Sequence, residues 1–241
     1  RDVIPAERLE NFHKLNADAS PAEEGMLSAG GYSWTGSPYY ESPFRVKVGP
    51  DDRFYALDWS GSGVVMSWDQ QITPSSIRYV MTDYNNPGGN LGGFAVTGTG
   101  ANRQLWMVDN TTSGYGLIRW DMQADGTLAA GDQGTQLVQV GSPDGLDDSA
   151  FDVAVDKNGR IYVVVEPSAS TYMIMRFPAY TGSALTTADW KADNTSYDDG
   201  NWDNDFAIAV NPAATYAAVA LNDSNALQVL DANTGLTVTY I

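Results

Sequence analysis

An all-β fold built from repeated four-stranded sheets is what three features of this 241-residue sequence predict. The stretch Phe151–Phe177, FDVAVDKNGRIYVVVEPSASTYMIMRF, reads as strand, Asn-Gly turn, strand, polar loop, strand. The same pattern starts again at Phe44, Phe94 and Phe206. Composition agrees, because 7 Trp, 13 Tyr and 24 Gly place aromatic residues between glycine turns.

Taken in order, residues 1–42 stand outside the repeat and form an N-terminal extension. Pro5 to Ala17 (PAERLENFHKLNA) predicts a short helix with Leu9, Phe12 and Leu15 on one face. Pro21, Gly25, Gly30 and Gly31 then break it, and an irregular segment follows in which Tyr32 to Thr35 would add one strand. The first repeat, 44–92, reads FRVKVG, a Pro-Asp-Asp turn, RFYALD, the loop WSGSG, VVMSWD, and a fourth strand from Ile77 to Met81. The second, 94–150, has FAVTG, RQLWMVD, the loop NTTSGYG, LIRWD, and a fourth strand from Thr135 to Val140. The third, 151–205, carries a weak fourth strand near Asp189 to Lys191. The fourth, 206–241, has FAIAVN, a Pro-Ala-Ala turn, TYAAVAL, NDSN, ALQVLD, and a closing strand from Leu236 to Ile241.

Register agrees across the repeats. The spacing from first Phe to the large apolar residue ending strand three is nearly constant: Phe44 to Trp68, Phe94 to Trp120, Phe151 to Phe177, Phe206 to Leu230. Four-stranded antiparallel units at this period are β-propeller blades, and the prediction is a propeller with four recognisable blades. A lone blade cannot bury both faces, so neighbours must pack on it.

The shared pattern V-x-V-x-x-x-x-R-[FI]-Y (Val46 to Tyr55, Val153 to Tyr162) resembles the NHL-type and related six-bladed propellers over residues 44–241. Trp68-Asp69 and Trp120-Asp121 are similar to the WD40 dipeptide, but His13 is the sole histidine, so that family's Gly-His partner is missing. Six blades are usual for the NHL type and four are visible here. Either residues 1–42 supply part of a fifth blade, or the chain is part of a larger ring, or another chain completes the ring. The expectation is one of the last two.

Charge and composition exclude several functions. A net charge of −17 repels nucleic acid and anionic membrane surfaces. No run of about 18 apolar residues is present, so no membrane insertion is expected. With no Cys, disulfide scaffolds, thiol nucleophiles and Cys-based zinc sites are excluded. A chain starting at Arg1 reads as a processed or trimmed product, and the composition suggests an extracellular, periplasmic or cell-surface location.

Candidate chemistry lies at blade ends. In an antiparallel blade the start of strand one lies beside the end of strand two, so these loop ends share a face. Glu41, Leu91, Asp148 and Asp203 precede the four strands one, and Asp58, Asp109, Glu166 and Asn222 close the strands two. All but Leu91 carry a carboxylate or amide, which makes Glu41, Asp58, Asp109 and Glu166 ligand-face candidates. Asp144 and Asp148 align with Asp199 and Asp203, and Asp199, Asn201, Asp203 and Asp205 alternate like the start of a calcium loop. Asn204 and Val210 stand where an EF-hand needs Gly and Glu, so a different oxygen-ligand Ca site is the candidate, against plain turn-forming Asp and Asn. Tyr39, Tyr40, Trp59 and Trp202 are candidates for stacking on a glycan, against packing between blades.

Three readings follow. The leading one is a non-enzymatic, secreted or surface-associated binding or assembly module with a protein partner or a second copy of itself. The second is a calcium-dependent hydrolase, implied by resemblance to lactonase-type propellers, which use Glu, Asn and Asp around one metal. The third is a glycan-binding propeller.

Overall fold

In the computed structural model the described residues are 13–15, 21–26, 43–58, 64–70, 76–81, 91–109, 116–138, 150–168, 171–194, 206–221 and 226–241. Among them, β1 (His13–Leu15) and β2 (Pro21–Met26) pair as a short antiparallel ribbon. The remaining strands make four sheets of four. Blade one is β3 (Pro43–Val48), β4 (Phe54–Asp58), β5 (Val64–Trp68) and β6 (Arg78–Met81). Blade two is β7 (Leu91–Thr97), β8 (Gln104–Asp109), β9 (Gly116–Asp121) and β10 (Thr135–Val138). Blade three is β11 (Ala150–Val155), β12 (Ile161–Ser168), β13 (Thr171–Phe177) and β14 (Trp190–Asn194). Blade four is β15 (Ala207–Val210), β16 (Tyr216–Leu221), β17 (Ala226–Asp231) and β18 (Thr237–Tyr240). Each sheet is antiparallel with its strands in chain order. The fold is all-β and carries four propeller blades.

The weak fourth strand of blade three is real and extends to Asn194. The helix expected over Pro5 to Ala17 is corrected where it is described, because His13–Leu15 is a strand. A helix of that length is marginal without a partner for its apolar face, and pairing with Pro21–Met26 offers these residues backbone bonds instead. The strand expected from Tyr32 to Thr35 lies outside the described residues. No helix among the described residues is long and apolar enough to cross a membrane.

The chain divides into two compact units. The first contains blade one together with the turns Gly98–Arg103 and Met122–Gln133; the second contains the strands of blades two, three and four. In the first unit, Tyr55, Ala56, Leu57 and Val65 are fully buried. The β3–β4 turn closes with the Gly49 N–H donating to Arg53 O at 2.8 Å and the Asp52 N–H to Gly49 O at 3.0 Å. Asp52 takes a φ of 59° there, a left-handed conformation that glycine occupies most cheaply. Blade three solves the same turn with Gly159, and blade four uses Ala214 at 61°.

In the second unit, blade three is buried on both faces. Val153, Val163 and Met175 stand opposite one another and join Trp106, Val108, Leu117 and Val138 of blade two in one apolar cluster. The other face presents Val164, Ile174 and Tyr172 to Phe206, Ile208, Val219 and Leu230 of blade four. This is why Ile161–Val165, IYVVV, is apolar without alternation: each neighbour pair points to a different core.

Polar bonds fix the register of the two sheets. The buried Asp152 carboxylate accepts the Ile208 N–H at 3.0 Å. Tyr172 donates its hydroxyl to Gln228 Oε1 at 3.0 Å. At the turn end, Arg160 donates to Ala214 O at 2.9 Å and Asn233 Oδ1 at 2.8 Å, and Arg176 to Ala232 O at 2.7 Å.

Candidate functional site

Most residues that the sequence singles out for binding lie outside the described residues. These are Glu41, Tyr39, Tyr40, Trp59 and Trp202, together with the whole cation set, Asp144, Asp148, Asp199, Asn201, Asp203 and Asp205. Asp58 ends β4 opposite Pro43, and Glu166 lies in β12 just past the pair Ala150 and Val165. Asp109 closes β8 opposite Leu91, so the start of strand one does sit beside the end of strand two. Its side chain is fully buried.

A hollow of about 500 Å³ opens at the opposite, turn end of the first unit, lined by Asp51, Asp52, Arg53, Asp69, Gln70, Arg78, Gly100 and Arg103. Sequence reading overlooked its basic residues by following the acids. One signal for them was present, since Arg opens strand two in three blades, at Arg53, Arg103 and Arg160.

Two of these guanidinium groups are held by the backbone. Arg53 donates through Nη2 to Ser76 O at 2.6 Å and Ser67 O at 3.2 Å. Arg103 donates to Gly100 O at 3.1 Å, Ala124 O at 2.8 Å and Asp51 Oδ2 at 2.7 Å. Tyr55 donates its hydroxyl to the same Asp51 oxygen at 2.9 Å. Burial, reinforced by that hydrogen bond to the carboxylate, pushes the Tyr55 hydroxyl up to about 12. For Arg103, burial opposes the charge, but the bonds to Asp51 and Tyr55 outweigh it and its pKa is raised. Arg53 goes the other way: burial, then the like charge of Arg78, lowers its pKa.

The second unit offers a surface of another kind. Along β16 the residues alternate: Ala217, Val219 and Leu221 are buried, while Tyr216, Ala218 and Ala220 are partly or fully exposed. Cross-strand register extends the exposed set to Ala207, Ala209, Leu227, Val229 and Thr239. Blade four therefore shows a sheet face of small apolar side chains. Beside it, Leu236 is 70% and Val238 54% exposed. A sheet face meant for water would alternate with charged or strongly polar residues.

No protein-family model matches the sequence, and no curated protein matches it. Solved structures do. A candidate 6-phosphogluconolactonase from Bacteroides fragilis NCTC 9343 is 14% identical with a TM-score of 0.52, covering 96% of this chain and 63% of its own. One from Bacteroides uniformis ATCC 8492 is 13% identical with a TM-score of 0.54, covering 96% and 64%. At such identities the likeness is one of fold. The chain spans less than two thirds of the length of either structure.

Proposed function

We propose that the protein is a non-catalytic binding and assembly module in which the outer face of blade four takes a further β-sheet of the propeller-blade type as its cover. One observation carries this reading. YAAVAL in β16 is as apolar as IYVVV in β12, yet one of its faces is half open. Burying that face removes apolar area from water at about 25 cal/mol per Å². Small side chains also let a second sheet approach closely, which suits a blade as occupant better than a loop. The length comparison supports it, since both similar structures are longer than this chain. The cover would come from the same polypeptide or from a partner, and the acidic composition without Cys is compatible with a secreted or surface-associated setting. Kinship of the blades to the NHL type belongs to the same proposal and rests on FDVAVDKNGRIYVVV.

Light scattering on the 241-residue chain tests the reading. Self-association or partner capture that disappears in Ala218→Arg, with melting of the isolated chain unchanged, supports it. A monodisperse monomer that binds nothing and is indifferent to Ala218→Arg sinks it. The intact mass of the mature protein then separates a cover in the same chain from one in a partner.

The likeness to two candidate lactonases favours, as a second reading, a calcium-dependent hydrolase acting through the loop-end carboxylates. A melting temperature that ignores calcium and chelator, together with no turnover across a lactone panel, would remove it. Glycan binding is tested separately by Trp59→Ala and Trp202→Ala on a glycan array.

A further inference from the structure

Arg78 is the unspent charge in the turn-end hollow. Its guanidinium forms no hydrogen bond or ion pair with the described residues, although it lines the same space as Arg53 and Arg103. The three arginines come from different elements: the end of the β3–β4 turn, the start of β6 and the end of the Gly98–Arg103 turn. Gly126 shows how close two of them come. A Cβ on that glycine would lie 2.7 Å from Arg103 Nη1 and 3.1 Å from Arg78 Nη1, so one atom placed there would touch both guanidinium groups.

Three arginines and three aspartates line the hollow, and Arg103 is paired with Asp51, which leaves Arg53 and Arg78 without a contact ion pair among the described residues. Structural bonding accounts for Arg53 and Arg103, whose nitrogens are tied to backbone carbonyls and Asp51. It does not account for Arg78. The tied pair is better described as preorganised: Arg53 Nη1 is unused by the bonds that hold its group, and Arg103 keeps N–H donors beyond its three bonds.

We infer that this hollow is an oxyanion site that takes a phosphate group, with Arg78 as its mobile ligand and Arg53 and Arg103 as its fixed ones. Guanidinium forks match the oxygen spacing of phosphate. The acids of the hollow choose among oxyanions. Asp51, Asp52 and Asp69 line it too, and Asp51 Oδ1 is buried without a hydrogen-bond partner among the described residues. A carboxylate can accept the hydrogen of a singly protonated phosphate or the hydroxyl of a phosphate monoester. It repels sulfate, which has no hydrogen to give at neutral pH. The site is therefore phosphate-selective. It is independent of the blade-four cover, which lies in the other compact unit.

The test titrates the chain with inorganic phosphate, sulfate and glycerol phosphate at pH 7, reading melting temperature and calorimetric affinity. Phosphate and the monoester should raise the melting temperature; sulfate should do so weakly or not at all. Arg78→Gln should weaken phosphate binding by about tenfold or more, the loss expected for a charge-assisted contact, without changing the ligand-free melting temperature. Arg78→Lys should recover part of the affinity. Equal responses to phosphate and sulfate would overturn the selectivity and with it the assignment. An undiminished phosphate response in Arg78→Gln would overturn it as well, leaving general ionic stabilisation. Should the Gln variant unfold, Arg78→Lys against the unsubstituted chain decides alone, because unchanged affinity there would also refute the role of the fork.

Discussion

Blades three and four are built from similar strands and meet different surroundings. The residues Ile161, Tyr162, Val163, Val164 and Val165 of β12 are all at most 3% exposed. The equivalent strand β16 is buried at Ala217, Val219 and Leu221 only. The difference lies in what packs outside the sheet, since blade three has a neighbour on both faces and blade four has blade three on one. Burial is thus a property of the stack. A strand that is apolar on both sides announces how many neighbours it was selected to have.

The largest contrast should appear in stability. Ile174→Ala in blade three should cost about 2–5 kcal/mol, the range for large-to-small changes in a closed core. Val229→Ala on the open face of blade four should cost under about 1 kcal/mol in the isolated chain. Urea unfolding measures both. A cost for Val229→Ala that rises toward the first value in the presence of a partner or a longer chain would show the cover directly.

Next comes the bond between the two sheets. Asp152→Ala removes the acceptor 3.0 Å from the buried Ile208 N–H, a loss of about 1–3 kcal/mol, and should accelerate hydrogen exchange at Ile208 in particular. Unchanged exchange there would show that this one bond does not hold blade four in place.

The third contrast is alkaline. Tyr162 donates its hydroxyl to Asp156 at 3.1 Å; burial, then the Asp156 charge, pushes its pKa from 10.0 to about 12. The raised value favours the neutral phenol in the folded state. This contribution is complete below pH 10 and is lost as pH rises through about 12. Tyr162→Phe should flatten that part of the pH–stability curve.

The smallest effect concerns the turns. Asp52→Gly and Ala214→Gly should each gain about 0.5 kcal/mol by relieving a left-handed residue, while Gly159→Ala should lose a similar amount. Thermal melts of the three variants compare them.

The blades were legible in the sequence because strand periodicity and Gly, Asn and Pro turns are local signals. IYVVV and TYAAVAL could be read as strands, but whether both faces are covered depends on chains of contact far away in sequence. The N-terminal extension misled for a related reason: Leu9, Phe12 and Leu15 follow a helical period, yet pairing at His13–Leu15 makes a strand. Asp109 closes its strand at the loop end, as its place in the repeat predicts, but its depth was not readable, because position in a repeat does not report burial. The arginine hollow was illegible as a site, since Arg53, Arg78 and Arg103 converge only after two turns and a strand start have folded together.

The guanidinium bonds from Arg160 and Arg176 to Ala214, Ala232 and Asn233 have a consequence for how sheets recognise one another. Apolar faces attract without direction, and a slide of one residue, about 3.3 Å along a strand, would leave much of that attraction intact. The arginines oppose the slide, since their bonds to Ala214, Ala232 and Asn233 form at one offset only. Blade four has Thr215 at the position that Arg160 fills in blade three, and its hydroxyl accepts from Asn211 Nδ2 at 2.9 Å within its own turn. Blade four thus offers adhesion at its outer face without this alignment key, and a sheet that settles there in a single offset must carry the key on its own side.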